Sequence, residues 1–292
     1  MLTHNEKYDV LAENLVGVKN LYFKREDLHP YGSHKGRSIP FMIDNYIGQD
    51  CKHFAISSSG NAALASCFHI EKLNKERRDK IRLEILVGQH ISAKKLKKLE
   101  RFKNQYISIT IHDRPLQTLF TKTKDGDIKA LRQSTDDTAL KGYGSLAQEL
   151  LEIPNLQAVF IGTSSGTTAQ ALAQYFNSKN KKIEIHIVQT SSCHPISDNF
   201  VNDDTRDEQS IADAIVDHTA LRKDILIPLI EKSGGSGWIA SNEQIKTAQE
   251  IVKKYTDIDI STNSALSVAG LMQASYTGKD WYGSVACMIC GD

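Results

Sequence analysis

Short apolar segments alternate along the chain with longer segments in which apolar positions recur every three or four residues. The short segments are rich in β-branched and aromatic residues and predict strands at residues 20–24, 53–57, 83–87, 107–111, 158–162, 183–189 and 285–289. The longer segments predict helices at residues 59–73, 93–102, 144–151, 167–177 and 242–255. Strands that alternate with helices of about 10–15 residues are typical of parallel sheets built from βαβ units, so the pattern predicts an α/β fold.

Length and composition narrow the class of protein. The 292 residues suffice for two domains, and 36 basic residues against 35 acidic ones give a formal net charge of +1. A nucleic-acid partner is not expected, because phosphate backbones are usually bound by strongly basic domains. A membrane is not expected either, because no apolar run approaches the ~20 residues that span a bilayer. Five scattered cysteines favour a reducing cytoplasm over a disulfide scaffold.

Two of the predicted strand-to-helix turns are rich in glycine and hydroxyl residues. The strand at 53–57 leads into Ser-Ser-Gly-Asn-Ala at 58–62, and the strand at 158–162 leads into Thr-Ser-Ser-Gly-Thr-Thr at 163–168. Such residues let a ligand approach the backbone and donate hydrogen bonds, while a helix start adds unpaired N–H groups and a positive dipole. Ser and Thr also serve as helix caps, but two such turns in one α/β chain favour anion sites, with phosphate at the second.

A lysine precedes both turns. Lys35 lies where a helix should start, after a turn containing Pro30 and Gly32. An amine at a helix start and close to other basic groups is a candidate nucleophile that could form a Schiff base with a carbonyl compound. Taken alone, Lys35 is more simply a surface charge, but the two anion-binding turns in the same chain favour the catalytic interpretation.

These segments together resemble a known enzyme family. Residues 24–37 (KREDLHPYGSHKGR) resemble the pattern K-x-E-x-x-x-P-T-G-S-F-K-D-R, residues 58–62 resemble an S-S-G-N-A loop, and residues 162–168 resemble a G-T-G-G-T loop. This set is similar to the pyridoxal-phosphate enzymes of fold type II, the tryptophan synthase β superfamily, which includes threonine synthase, serine/threonine dehydratase and cysteine synthase. The matches follow in order from about residue 10 to 291 and so cover nearly the whole chain.

The resemblance implies an architecture. It implies an α/β fold of two domains, each a mostly parallel twisted sheet flanked by helices, with pyridoxal 5'-phosphate in the cleft between them. Residues 1–36 and 142–292 would form the large cofactor-binding domain, and residues 37–141 the small domain that carries the Ser-Ser-Gly-Asn loop.

The resemblance also implies a site. Lys35 would be the catalytic lysine that binds the cofactor, Asn61 would contact the ring hydroxyl, and Cys290 would face the pyridine nitrogen. The cofactor phosphate would be held by Ser164, Ser165, Gly166, Thr167 and Thr168. The substrate carboxylate would be held by the loop of Ser58, Ser59, Gly60, Asn61 and Ala62. The chain departs from the family pattern in having Gly36 after the lysine, Ser164-Ser165 in the phosphate loop and Ser261-Thr262 in place of Glu-Pro.

The cysteines at the end of the chain allow another interpretation. Cys287 and Cys290 form a C-x-x-C pair, which can indicate zinc or redox chemistry. Zinc normally requires a second pair of ligands and none is near, and a redox pair should open a helix, whereas here the sequence stops. No metal is therefore expected, and Cys287 is most simply a small buried residue.

The expected activity is that of a pyridoxal-phosphate-dependent lyase or synthase. It would eliminate or replace a β or γ substituent of a small amino acid, in the manner of threonine synthase or serine/threonine dehydratase. A β-replacement of the cysteine synthase type is the alternative, and a non-catalytic binding protein that retains the fold is the alternative of another class. Relatives imply a homodimer. The basic residues Arg25 and Arg37 could anchor an anionic substrate or pair with acidic side chains.

Overall fold

Two separate β-sheets divide the chain into two units in the computed structural model, which describes residues 2–201 and 209–291. The larger unit combines the residues up to His29 with those from Tyr143 onward, and the smaller unit comprises Pro30–Gly142. The predicted division placed residues 30–36 and 142 with the large domain, whereas here they group with the smaller unit. The reason is local, because the helix that begins at Lys35 packs against other helices of that unit.

The larger unit contains a mixed sheet. Its strands are β1 (Asn5–Lys7), β2 (Val18–Arg25), β7 (Leu156–Gly162), β8 (Glu184–Thr190), β9 (Gly237–Ala240) and β10 (Trp281–Ile289). Their order across the sheet is β1-β2-β10-β7-β8-β9, and all neighbouring strands are parallel apart from the antiparallel pair β1 and β2. The helices of this unit are α1 (Asp9–Glu13), α7 (Gly144–Leu150), α8 (Thr167–Ser178), α9 (Lys223–Ser233), α10 (Asn242–Thr256) and α11 (Thr262–Ser275).

The smaller unit contains a parallel sheet. Its strands are β3 (His53–Ser57), β4 (Arg82–Gly88), β5 (Ile107–His112) and β6 (Lys129–Ala130), in the order β5-β4-β3-β6. Its helices are α2 (Lys35–Ile47), α3 (Asn61–Glu76), α4 (Ala93–Glu100), α5 (Pro115–Lys122) and α6 (Thr138–Gly142).

Each sheet has its own apolar core. In the larger unit the central strand β7 buries Ala158, Val159, Phe160 and Ile161 in succession, as expected for a parallel strand covered on both faces. Helix α11 packs against this sheet and buries ten of its residues. In the smaller unit β3 and β4 provide the corresponding apolar strands, beneath α2 and α3. The predicted fold class, two mostly parallel sheets flanked by helices, is confirmed.

The parallel strands bring several loops to one edge of each sheet. In the larger unit β10 lies between β2 and β7, with Cys287 beside Phe160 and Ile289 beside Arg25. The loop after β7 and the residues after β10 therefore emerge side by side. In the smaller unit the loops after β3, β4 and β5 emerge together in the same way. Loops at the carboxyl ends of strands are where open α/β sheets bind their ligands.

Within residues 2–201 and 209–291, every helix is too short or too polar to span a lipid bilayer.

Candidate functional site

The loop after β7 contains a glycine that another residue could not easily replace. Gly166 has φ of +86° and precedes the first residue of α8. A Cβ at this position would lie 2.7 Å from Leu226 Cδ2, so the site excludes a side chain both by backbone conformation and by space. The first N–H groups of α8 point out of the helix here, and they provide the hydrogen-bond donors and positive dipole that attract an anion.

The hydroxyl groups of this loop have different partners. Ser165 Oγ and Thr167 Oγ1 lie 2.9 Å apart, at the start of the helix. Ser164 Oγ instead accepts hydrogen bonds from the backbone N–H groups of Val216 and Asp217, at 3.1 and 3.2 Å. Ser164 therefore links the loop to the segment at Val216 and Asp217. Its hydroxyl can still donate one hydrogen bond to another acceptor. The part of the loop best suited to an anion comprises Ser165, Gly166, Thr167 and Thr168.

Cys290 follows β10 at the same edge of the larger unit's sheet. Its side chain is buried, and its thiol donates to the Met288 carbonyl with a sulfur-to-oxygen distance of 3.7 Å. Its neighbour Gly291 is held on both sides, because its N–H donates to Ser264 Oγ (3.3 Å) and its carbonyl accepts from Ser261 Oγ (3.1 Å). These two hydrogen bonds connect Gly291 to the start of α11.

Ser261 and Ser264 are residues whose contribution the sequence did not reveal. Ser261 is the N-cap of α11 and accepts the Ser264 N–H at 3.2 Å, so the same side chain caps the helix and binds Gly291. The S-x-x-S spacing before an apolar segment was a visible capping signal. The contact with Gly291, 30 residues away, was not visible. Ser261, with Thr262, stands where the resemblance would place Glu-Pro, so this position carries no charge.

The smaller unit carries the other glycine-containing turn. Residues 57–62 are half-buried, α3 begins at Asn61, and the Gly60 N–H donates to Ser58 Oγ at 3.3 Å. Ser59 lines a cavity of about 300 Å³ together with Gly88, Gln89, His90, Ile91 and Asp113. The Gln89 amide donates to the Asp113 carboxylate across this cavity. The turn therefore adjoins a space with polar walls at the carboxyl ends of β3, β4 and β5.

Lys35 is the first residue of α2 and is half-buried. The preceding turn is ordered by two backbone bonds, from Gly36 N–H to the Ser33 carbonyl (3.0 Å) and from Arg37 N–H to the His34 carbonyl (3.1 Å). Helices α2 and α3 pack against each other, so the lysine and residues 58–62 stand at the starts of two neighbouring helices.

Three further sequence expectations concern side chains outside these turns. Arg25 pairs with acidic side chains, because it forms ion pairs with Glu6 and Asp27, both at 2.8 Å. Cys287 and Cys290 are free thiols, and complete burial raises the pKa of the Cys287 thiol far above its ordinary value. Nowhere in the described ranges do three or more His, Cys, Asp or Glu side chains gather as they would around a metal ion.

A family profile described as "Pyridoxal-phosphate dependent enzyme" matches residues 6–291. The chain belongs to this family. The fold is that of the fold type II enzymes of the tryptophan synthase β superfamily, and the family depends on pyridoxal phosphate, as the resemblance implied.

Individual relatives within the family are distant. The chain is 26% identical over 154 residues to a human L-serine dehydratase/L-threonine deaminase, a match that covers 49% of this chain and 43% of that protein's length. It is 21% identical over 288 residues to a threonine synthase from Mycobacterium bovis, covering 93% of this chain and 76% of the relative.

Solved structures of the same fold carry several activities in their names. A pyridoxal 5'-phosphate-dependent aspartate racemase superposes with a TM-score of 0.81 at 20% identity, covering 99% of this chain and 89% of that one. The processed form of threonine deaminase isoform 2 from Solanum lycopersicum superposes with a TM-score of 0.79 at 19% identity, covering 99% and 83%. These likenesses establish the fold.

The residues present fit the cofactor of the family. A phosphate needs N–H and hydroxyl donors, and the loop supplies both at the start of α8, where Gly166 takes the left-handed conformation and Ser165 and Thr167 bring their hydroxyls together. An aldehyde needs an amine, which Lys35 carries at the start of α2. A pyridine nitrogen needs a hydrogen-bond partner, which a thiol at Cys290 would provide.

Proposed function

We propose that this protein is a pyridoxal-phosphate-dependent lyase or synthase that removes or replaces a β or γ substituent of a small amino acid, in the manner of serine/threonine dehydratase or threonine synthase. The observation that carries the proposal is Lys35 at the first position of α2, in a chain that the family profile matches from residue 6 to 291. A non-catalytic binding protein on this fold would be indicated by loss of that lysine, and the lysine is present.

Lys35, the phosphate-binding loop and the cofactor each have a task in the proposed reaction. Lys35 would hold the cofactor through its amine, and the same amine, when free, would serve as the general base for the proton on the substrate's α-carbon. The N–H groups and hydroxyls at Ser165, Gly166, Thr167 and Thr168 bind the phosphate, with Ser164 shaping the loop. Pyridoxal phosphate, when bound, supplies the electron sink for the negative charge that this proton transfer leaves on the α-carbon.

The substrate is positioned by the smaller unit's turn. The backbone of Ser58, Ser59, Gly60, Asn61 and Ala62 binds the α-carboxylate at the start of α3, and Asn61 contacts the ring hydroxyl. The cavity of about 300 Å³ beside Ser59 is large enough for a short amino-acid side chain and its leaving group, and it is lined by hydrogen-bonding groups. A small zwitterionic substrate suits both features.

Cys290 supports elimination over transamination. A carboxylate at this position would hold a proton on the pyridine nitrogen and strengthen the electron sink, whereas a thiol leaves the nitrogen uncharged. The serines around Gly291, Ser261 and Ser264, add no charge. We therefore expect prompt loss of the leaving group once the α-proton is removed. A homodimer in the cytoplasm belongs to the same proposal.

The test is a substrate panel with the cofactor-loaded protein. L-serine, L-threonine, O-acetylserine, O-phosphoserine and O-phosphohomoserine are offered separately, and keto acid, ammonia, acetate and phosphate are measured. We expect keto acid and ammonia from a hydroxy amino acid, or threonine and phosphate from O-phosphohomoserine. Replacement by an added thiol with little keto acid would favour the cysteine-synthase-like alternative. Transamination or racemisation alone would contradict the proposal.

A further inference from the structure

Tyr31 joins the turn before Lys35 to the neighbouring helix α3. Its side chain is buried, with 9% exposure, and its ring stacks on Phe68 with centroids 5.5 Å apart and an angle of 7° between the planes. Its hydroxyl lies 3.3 Å from Nδ1 of His69, the next residue of α3, which is also buried. Two adjacent side chains of α3 therefore hold one residue of the turn, one by packing and one by a hydrogen bond.

The same histidine also binds helix α2. Asp44 Oδ1 lies 2.7 Å from His69 Nε2. Because a carboxylate can only accept a hydrogen bond, Nε2 carries the proton of the neutral imidazole, and Nδ1 accepts from the Tyr31 hydroxyl. Burial and the Asp44 charge raise the pKa of that hydroxyl, which keeps it a neutral donor. Each donor in the series Tyr31–His69–Asp44 therefore has a defined acceptor.

These contacts connect the turn to the helices that begin at the proposed site. Lys35, four positions after Tyr31, is the first residue of α2, and Asn61 is the first residue of α3. The backbone hydrogen bonds of the turn shape it locally. The Tyr31 side chain holds that turn against α3, and His69 is in turn bound to α2 through Asp44. The orientation of Lys35 relative to the start of α3 therefore depends on this series of contacts.

Tyr31 is also a departure from the family pattern. The pattern has P-T-G-S where this chain has Pro30-Tyr31-Gly32-Ser33, so tyrosine replaces threonine. A threonine has no ring to stack on Phe68, and its hydroxyl, attached to Cβ, is too close to the backbone to reach the imidazole from the same position. The link to His69 is therefore a feature of this chain that the resemblance did not assign.

We propose that Tyr31 is a positioning residue for Lys35, and that its hydrogen bond to His69 keeps the lysine turn in the arrangement that proton transfer needs, with Asp44 orienting the imidazole. This inference rests on the proposed function, which assigns the cofactor and the α-proton to Lys35. Without the hydrogen bond the turn should open more often, and the lysine amine should spend less time in place to act as general base.

The experiment compares Tyr31→Phe with Tyr46→Phe. Both changes remove one tyrosine hydroxyl from the smaller unit and keep the ring, and Tyr46, near the end of α2, donates to Asp136 Oδ2 at 2.7 Å. Hydrogen–deuterium exchange of the backbone N–H groups at residues 33–37 is measured in the full-length protein before any cofactor is added. After loading with pyridoxal phosphate, kcat and KM are measured with the best substrate of the panel. His69→Ala and the double variant Tyr31→Phe/His69→Ala complete a double-mutant cycle.

We expect exchange at residues 33–37 to be about tenfold faster in Tyr31→Phe, as is typical for losing one buried hydrogen bond, and to keep the wild-type rate in Tyr46→Phe. We expect kcat to fall about tenfold in Tyr31→Phe while KM stays within about twofold, because the turn at residues 58–62 is unaltered. The double variant should turn over no more slowly than His69→Ala alone, because the Tyr31 hydroxyl then has no imidazole to bind.

Any of three results would overturn the proposal. The first is a kcat in Tyr31→Phe equal to that in Tyr46→Phe, since the hydrogen bond would then be structural only. The second is wild-type exchange at residues 33–37 in Tyr31→Phe. The third is a double variant whose loss of kcat is the product of the two single losses, since Tyr31 and His69 would then act independently.

Failure of the proposed function itself gives a different result. The wild-type protein would then turn over no member of the panel, and Lys35→Ala would leave the spectrum of the added cofactor the same as in the wild type. The difference in exchange between Tyr31→Phe and Tyr46→Phe would remain.

Discussion

Gly166 shows how one backbone position controls the proposed phosphate loop. Its φ of +86° lies in the region that favours glycine, and the space where a Cβ would stand is filled by the Leu226 side chain. Gly126 has nearly the same φ, +87°, but no atom lies within 4 Å of its Cβ position. A side chain at Gly126 would meet only backbone strain, whereas a side chain at Gly166 would meet backbone strain and crowding by Leu226.

Replacing each glycine by alanine tests this difference. Gly126→Ala should lower the free energy of unfolding by about 1 kcal/mol, the cost of a left-handed residue, whereas Gly166→Ala should lower it by about 2–4 kcal/mol because overpacking is added. Gly166→Ala should also weaken the binding of pyridoxal phosphate, and Gly126→Ala should not. Urea unfolding and cofactor titration measure both effects. Equal losses in the two variants would show that Leu226 yields to the new methyl group.

The residues that could be predicted from the sequence are those whose signal is local. Lys35 and the two hydroxyl-rich turns stand next to recognisable helix starts, so their placement at the starts of α2, α3 and α8 followed from nearby residues. The contacts of Ser261 with Gly291 and of Ser164 with Val216 could not be predicted. Each joins residues 30 or more positions apart, and the choice of partner depends on how the elements pack.

At the scale of elements, the strands of the larger unit contain a buried polar cluster away from the proposed site. His186 in β8 stacks on Phe160 in β7, with ring centroids 4.3 Å apart, and accepts a hydrogen bond from Trp238 Nε1 at Nδ1 (3.1 Å). Its Nε2 therefore carries the proton and donates to Glu184 Oε2 at 3.1 Å. Trp281 and Lys279 also donate to this oxygen, at 2.8 and 2.9 Å.

The cluster gives the larger unit a pH-dependent stability. Burial lowers the pKa of His186 from 6.5, with partial compensation by Glu184, so the folded protein keeps the imidazole neutral. Burial raises the pKa of Glu184, but hydrogen bonds from His186, Lys279 and Trp281 outweigh it and the net pKa falls below 4.5. Because both pKa values are lowered in the folded state, the unfolded chain takes up protons first as the pH falls. The stabilising contribution of His186 is therefore complete above pH 6.5 and is lost below it.

His186→Gln tests this contribution. The variant should be less stable than the wild type at pH 7.5, but its free energy of unfolding should change less between pH 7.5 and 5.5. Fluorescence is a direct probe, because the two tryptophans of the chain, Trp238 and Trp281, both belong to the cluster. His112→Gln, in the smaller unit, is the control and should retain the wild-type pH dependence. An unchanged pH dependence in His186→Gln would assign the effect to other groups.

The longer strands were easier to predict than the short ones. The predicted strands at 53–57, 83–87 and 107–111 correspond to β3, β4 and β5 within a residue or two, because apolar runs of parallel strands are distinct from amphipathic helices. The two-residue strand β6, the antiparallel edge strand β1 and the four-residue strand β9 were missed. All three are too short for a periodic pattern and pair with a neighbouring strand in the folded sheet.

At the scale of the whole molecule, the order of the strands in the larger unit could not be predicted from the pattern of apolar and polar residues. The larger unit is assembled from the beginning and the end of the chain, with β10 inserted between β2 and β7. Nothing local in the sequence encodes that strand order, and the resemblance to a family supplied only the assignment of the first and last parts of the chain to one domain. The family, the fold and the cofactor follow from the match over residues 6–291, while the reaction rests on the chemistry of a few side chains.

The central claim is that Lys35 carries pyridoxal phosphate, and the absorbance spectrum of the purified protein tests it most directly. The wild-type protein incubated with the cofactor and then desalted should retain a visible absorbance band that sodium borohydride abolishes, leaving the cofactor attached to the peptide containing Lys35. Lys35→Ala should lose the band and the activity, and Lys52→Ala, an exposed lysine of the same unit paired with Asp79, should keep both. A Lys35→Ala protein with an unchanged spectrum and activity, or reductive attachment at another lysine, would contradict the account.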